Sequence, residues 1–263
     1  MQIVLGHMLA VGIGLSLGLL GGGGSILAVP ILIYVMNIQS SAAIAMSLFI
    51  VGSVSLLGVI PYARQKQVNW SIAAAFIPTA MLGAYLGSQL IKLAFITETV
   101  QLVSFGLVML AASVLMIRKR NNTDPQTENK ETAHIGGAAA ATARLLSWLA
   151  ISLEGFGAGI VTGFVGVGGG FLIIPALVLL SGIPMKTAVG TSLVIIAFNS
   201  ATGFLGYVDQ VSINWALTGS FTVAAALGTV LGSTLSLSVE ASKLQKAFGY
   251  FVLSVAIFVL IKR

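Results

Sequence analysis

The sequence predicts an all-α integral membrane protein made of two homologous four-crossing repeats, about eight transmembrane helices, with the first segment of each repeat broken or re-entrant at a glycine run. Three observations carry this expectation. Of 263 residues, 57% are hydrophobic and only 8% are charged, whereas about a quarter of a soluble domain is charged. Apolar runs of crossing length follow one another, separated by short polar links. The stretch Gly18-Leu-Leu-Gly-Gly-Gly-Gly-Ser-Ile-Leu-Ala-Val-Pro30 recurs 145 residues later as Gly163-Phe-Val-Gly-Val-Gly-Gly-Gly-Phe-Leu-Ile-Ile-Pro175.

Ile3 to Met36 is apolar apart from small residues. As one straight helix it would measure about 50 Å against a hydrocarbon core of about 30 Å, so it must break or tilt steeply. The glycines at 21–24 mark the break, since each weakens a helix by about 1 kcal/mol relative to alanine. Pro30 then either kinks the next turns or opens a short half-helix as its first residue. Asn37 to Ser41 is a polar turn. Ala42–Pro61, Ser71–Leu90 and Thr99–Ile117 each come close to the ~20 residues of one crossing. The links between them carry Arg64 and Lys66, then Lys92 and Glu98. Arg118 to His134 is hydrophilic and reads as a solvated connector. Leu145 to Leu180 repeats the overlong, glycine-broken run, and Thr187–Tyr207, Ile213–Leu235 and Lys246–Ile261 complete the second half. The division is therefore a first repeat over 1–117, a cytoplasmic linker over 118–143 and a second repeat over 144–263.

The duplication holds residue by residue. Gly14 and Gly18 match Gly159 and Gly163, and Ser47-Leu48 matches Ser192-Leu193. Tyr62, Gln65, Asn69 and Trp70 match Tyr207, Gln210, Asn214 and Trp215, and Gly83, Gly87 and Ser88 match Gly228, Gly232 and Ser233. Later the offset drops to 143, where Phe105-Gly106 aligns with Phe248-Gly249.

The net charge of +6 comes from basic residues at the ends of apolar runs, so it sets orientation in a bilayer and does not mark a nucleic-acid partner. If each broken segment is one crossing, Arg64, Lys66, Arg118-Lys-Arg120, Arg144, Lys262 and Arg263 fall on one side. That predicts parallel repeats in a bacterial-type inner membrane, with both termini cytoplasmic. The alternative is ten crossings, which inverts the repeats and puts Lys262-Arg263 opposite Arg118-Lys-Arg120. With no cysteine, thiol catalysis and iron–sulfur chemistry are excluded, and His7 and His134 alone make no metal site. No cofactor is called for, and the uncharged start of the first run does not read as a removable signal peptide. The expected partners are the lipid bilayer and a small anionic substrate; a homo-oligomer is compatible with the sequence.

Broken segments at matching places in two halves are the usual pointer to a transporter's binding site. A helix starting after a glycine run offers unpaired N–H groups and the positive end of its dipole, which suits an anion. This assigns Gly22, Gly23, Gly24 and Ser25 in the first half and Gly168, Gly169 and Gly170 in the second to the substrate, with Pro30 and Pro175 at the helix breaks. The spaced pairs Gly14/Gly18, Gly83/Gly87, Gly159/Gly163 and Gly228/Gly232 read instead as close helix packing. Ser47, Thr191, Ser192 and Asn199 lie beyond the breaks. Ser192 and Asn199, seven apart, share a helical face and are placed to hydrogen-bond an oxyanion; the competing reading is a serine bonded to its own helix. Asn199 has Val54 as its counterpart, so the site would be asymmetric. Glu154, whose counterpart is Leu9, is the only carboxylate well inside a crossing. It reads as a proton-coupling or gating group, or else as the partner of an interfacial cation. Lys186 reads as a snorkelling interfacial lysine.

The second glycine motif, with Ala188-Val-Gly-Thr-Ser-Leu193 after it, resembles the signature of the sulfite exporter TauE/SafE family of membrane transporters, over nearly the whole chain. The first half departs from it: Gly21-Gly-Gly-Gly-Ser25 replaces Gly-Val-Gly-Gly-Gly, and Ala45-Met-Ser-Leu48 replaces Gly190-Thr-Ser-Leu193. The resemblance implies a secondary transporter exporting sulfite, organosulfonates or related small sulfur-containing anions. The residues alone support an anion but not sulfur. They leave open proton coupling, an anion channel and, less favoured, an intramembrane enzyme using Ser25 with His7 or His134 as base.

Overall fold

The computed structural model describes residues 2–90, 98–118, 137–165, 170–207 and 211–261; Gly168, Gly169 and His134 lie outside the described residues. In chain order the helices are α1 (Gln2–Leu20), α2 (Gly23–Pro30, continued by a π-helical stretch Ile31–Val35), α3 (Ser40–Arg64), α4 (Trp70–Leu90) and α5 (Glu98–Arg118). They continue as α6 (Gly137–Val165), α7 (Gly170–Pro175, continued by a π-helical stretch Ala176–Leu180), α8 (Met185–Tyr207), α9 (Trp215–Ser238) and α10 (Ala241–Ile261). Among the described residues five helices, α1, α3, α4, α8 and α9, are long and apolar enough to cross a membrane, and shorter apolar stretches lie in α2, α5 and α6. The chain is an all-helical, multi-pass integral membrane protein.

The repeated Asn-Trp pair is a helix start. Asn69 Oδ1 accepts from Ile72 N–H at 3.1 Å, and Asn214 Oδ1 accepts from Leu217 N–H at 3.1 Å, satisfying first-turn donors that a helix cannot satisfy itself.

The glycine break after α1 is a reversal of direction. Gly21 adopts a left-handed φ of +69° and donates its N–H to Leu17 O at 2.7 Å, the cap that ends a helix at a glycine. The chain then runs back along α1: a Cβ on Gly24 would strike the Ile13 carbonyl, and one on Gly6 would meet Met36 Sδ. Ile3 to Met36 is thus a hairpin, a long helix and a shorter returning arm. Pro30 does not open the half-helix; it is the last residue of α2, and Pro175 stands likewise at the end of α7. After each, the backbone widens to π-type bonds, Met36 N–H to Ile31 O and Ser181 N–H to Ala176 O, both 3.2 Å.

Long helices of one half pack on long helices of the other. A Cβ on Gly14 would collide with the Ala225 carbonyl and one on Gly159 with the Ala80 carbonyl; Gly228 meets Val11, and Gly83 meets Phe156, in the same way. These glycines let backbones touch, as expected of spaced small residues. α1 runs parallel to α9, since Gly14 lies at Ala225 and Gly18 at Thr229. α4 runs parallel to α6, with Phe76 at Gly155 and Ala80 at Gly159. α3 and α8 are antiparallel, with Leu48 at Gly203, Gly52 at Ser200 and Gly58 at Leu193.

That antiparallel pair differs from the expectation of parallel repeats, in which equivalent helices run the same way. The physical reason is the fold-back at Gly21, which adds one reversal to the first half. Tyr62 donates its hydroxyl to Gly18 O at 2.9 Å, Lys186 donates to Leu237 O at 2.6 Å, and Gln245 Nε2 donates to Met116 O at 2.9 Å. These bonds gather Arg64, Lys66, Arg118, Lys186, Lys243 and Lys246 at the Leu20 end of α1. Gln2 and Ile261 lie at the opposite end, where His7 Nε2 pairs with Ser220 Oγ at 2.9 Å. Trp70 marks the first end and Trp215 the second, both more than half exposed, as in interfacial aromatic belts.

Candidate functional site

The two short helices start against each other. A Cβ on Gly170 would stand 3.0 Å from Ser25 Oγ and 2.8 Å from Ile196 Cδ1; one on Gly21 would stand 2.6 Å from Ser192 Oγ and 2.9 Å from Ile174 Cδ1. The beginnings of α2 and α7 and the Ser192–Ile196 turn of α8 therefore share one junction in the core. Gly23, Gly24 and Ser25 are buried, and Gly22 at the N-cap of α2 supplies no capping side chain. The first-turn N–H groups of α2 thus lack the oxygen that usually meets them, and the positive end of the helix points into the junction.

The hydroxyls are more committed than the sequence implies. Ser25 donates to Gly22 O, Ser47 to Ile44 O and Ser192 to Val189 O, each at 2.8 Å. Each bonds its own helix and keeps only acceptor capacity. Thr191 does not turn toward the junction: its Oγ1 accepts the Asn69 N–H at 2.9 Å, tying α8 to the start of α4. Asn199, three residues beyond Ile196 on α8, has a buried Oδ1 with no partner among the described residues, so among the polar side chains assigned to the site it keeps the most free hydrogen-bonding capacity. The polar side chains buried among the described residues are neutral: Ser, Thr, one Gln and the Tyr62 hydroxyl. An anion here would meet backbone N–H groups and amide or hydroxyl dipoles, with no cationic side chain.

Glu154 stands apart from the junction. It lies on α6 in the wall of a cavity of about 620 Å³ bounded by α5, α6 and α7. The Ser181 hydroxyl, just past the arm that continues α7, donates to its carboxylate. Lys186 is half-buried and donates to the Leu237 carbonyl in the last turn of α9, a structural role beyond snorkelling. Sequence reasoning misses Gly21, Ile174 and Tyr62 as neighbours of the junction. For Gly21 a signal is present, since the first glycine of the run comes directly after the helix; Ile174 and Tyr62 carry no local signal.

Residues 7–259 match the family model described as "Sulfite exporter TauE/SafE". A "Probable membrane transporter protein" of Xylella fastidiosa (strain Temecula1) is 36% identical over 94% of this chain and 91% of its own. "Probable membrane transporter protein YunE" of Bacillus subtilis is 27% identical over 83% of this chain and 82% of its own. "Probable membrane transporter protein MJ0441" of Methanocaldococcus jannaschii is 25% identical over 74% and 70%. No solved structure matches. These relatives are named as transporters, not enzymes, and with the family match spanning almost its whole length the chain belongs to the TauE/SafE sulfite exporter family of membrane transporters.

Proposed function

We propose that this protein is a secondary transporter that exports sulfite, an organosulfonate or a related small sulfur-containing anion, and that the anion binds where α2 and α7 begin. The observation that carries the site is the contact between Ser25 and Gly170. It brings the starts of two glycine-preceded helices together inside the core, one of them with no side-chain cap. Gly22 to Ser25, Gly168 to Gly170 and the amide of Asn199 are the proposed ligands; Ser192 shapes the junction while its hydroxyl is spent on Val189 O, and the hydroxyls of Ser47 and Thr191 are committed to Ile44 O and the Asn69 N–H. Sulfur rests on family membership alone.

In this reading residues 1–117 and 144–263 are inverted repeats joined by a linker over 118–143. In each, the first helix and its returning arm form a hairpin that brings the chain back to the face it entered from, and three crossings follow, an odd number that inverts the second repeat against the first. The arm Gly23–Val35 is about 20 Å long, short of the ~30 Å core. The contacts that recur at an offset of 145, Gly14 with Ala225 and Gly159 with Ala80, support this arrangement. By the positive-inside rule the end bearing Arg64, Arg118, Lys186 and Lys243 faces the cytoplasm of a bacterial-type inner membrane, and both termini face outward. Inverted repeats with half-helices at the midplane suit alternating access by rocking of one repeat against the other.

Proteoliposome flux of labelled sulfite, thiosulfate, sulfate and taurine, with and without a pH gradient, tests the reading. Saturable flux of one sulfur anion is expected. Ohmic single-channel current would instead make the protein an anion channel, and absence of sulfur-anion flux would leave the sulfur assignment without support. Proton coupling through Glu154 is the second reading, because its bond to Ser181 links the carboxylate to the α7 arm. It requires that gradient-driven flux collapse in Glu154→Gln.

A further inference from the structure

We propose that the groove between α5, α6 and α7 binds one amine-headed phospholipid, with the acyl chain along its apolar wall and the ammonium at Glu154. The groove encloses about 620 Å³, and among the described residues Glu154 is the single ionisable side chain lining it; the other described residues of the wall are apolar. It opens sideways rather than into the core, since Leu115, Leu153 and Leu180 on its rim are 56%, 71% and 66% exposed in a chain whose apolar flanks face lipid. Its length fits. From Ala150 to Val161 along α6 is about 16 Å, close to the ~15 Å depth of one leaflet's hydrocarbon.

The depth of the carboxylate fits as well. Gly155 packs against Phe76, six residues along α4 from the exposed Trp70, or about 9 Å below it. With Trp70 at headgroup level, Glu154 sits where headgroups give way to acyl chains. No described basic side chain forms an ion pair with it; the single ion pair among the described residues joins Lys243 to Glu240. A carboxylate without a cation in an apolar wall is costly, and a primary ammonium from the bilayer supplies a charge-assisted hydrogen bond. This inference does not rest on the transport reading.

The test reconstitutes the protein in vesicles of equal phosphatidylethanolamine and phosphatidylglycerol, re-extracts it in mild detergent and counts retained lipid by native mass spectrometry. About one phosphatidylethanolamine per chain is expected. Glu154→Gln should lower its retention roughly tenfold, a difference of about 1.4 kcal/mol, and Ala158→Phe, which fills the groove, should release it. Equal retention of both lipids by the unaltered protein would overturn the proposal, as would a phosphatidylglycerol preference that vanishes in Arg118→Ala. Should the variants fail to fold, competition with phosphatidylcholine on the unaltered protein decides: its trimethylammonium cannot donate a hydrogen bond, so equal retention would also overturn it.

Discussion

Ser25 and Gly170 hold the same position in the two halves of the sequence, 145 residues apart, and they touch each other: a Cβ on Gly170 would lie 3.0 Å from Ser25 Oγ. In the inverted-repeat arrangement proposed above, such a meeting of equivalent residues falls on the axis that relates the halves. The contact therefore does more than pack two chain segments. It places the starts of two short helices, whose dipoles are positive at that end, on one axis, and no buried cationic side chain is found among the described residues.

Widening that contact should abolish transport without unfolding the protein. The atoms facing Gly170 are the ends of the Ser25 and Ile196 side chains, so Gly170→Ala should be accommodated at a cost of about 1 kcal/mol or less. Gly170→Leu should separate the helix starts, and Gly23→Leu, against the Phe251 ring of α10 at 2.8 Å, should displace the start of α2; each should reduce flux at least about tenfold. Flux normalised to the amount of protein in the membrane is the measurement. Unchanged flux in both leucine variants would remove the junction as the anion site.

The packing glycines should respond by location. Gly12 and Gly219 are helical, and a Cβ added at either would have nothing within 4 Å, so alanine there should stabilise by up to about 1 kcal/mol through helix propensity. Gly14→Ala and Gly159→Ala drive a methyl into a carbonyl of the neighbouring helix and should cost about 1–3 kcal/mol. Thermal unfolding in detergent should raise Tm for the first pair and lower it for the second.

Tyr62→Phe isolates one bond between elements. The hydroxyl is fully buried and donates to Gly18 O at 2.9 Å, so its loss strands a buried carbonyl and should cost about 1–3 kcal/mol. A lower Tm with the substrate affinity preserved is expected.

The helical membrane class, the glycine break and the packing role of the spaced glycines are legible in the sequence because each depends on local composition or a short repeat. The direction of the chain after the break is not. A glycine run permits a kink and a reversal equally, and only the left-handed Gly21, with Met36 returned to Gly6, distinguishes them. That one reversal decides whether the repeats are parallel or inverted, and an orientation counted from charges inherits whichever choice is made. Ser47 and Ser192 look available as ligands because their spacing is visible and their bonds to Ile44 O and Val189 O are not. Asn69 and Asn214 are overlooked as caps, although Asn before Trp at the head of an apolar run is a helix-start signal.

The inverted arrangement makes a prediction about sidedness that parallel repeats contradict. The chain has no cysteine, so single cysteines report without background. Lys66→Cys and Lys243→Cys lie at the basic end, and Lys243 is 75% exposed; Gln2→Cys lies at the other end of α1. In oriented cells an impermeant maleimide should label Gln2→Cys from outside, and Lys66→Cys and Lys243→Cys only after the membrane is opened. Parallel repeats with cytoplasmic termini would instead protect Gln2→Cys along with Lys66→Cys. Labelling of all three from outside would show that neither arrangement describes the chain, because Tyr62 and Gly18 fix Lys66 at the end of α1 opposite Gln2.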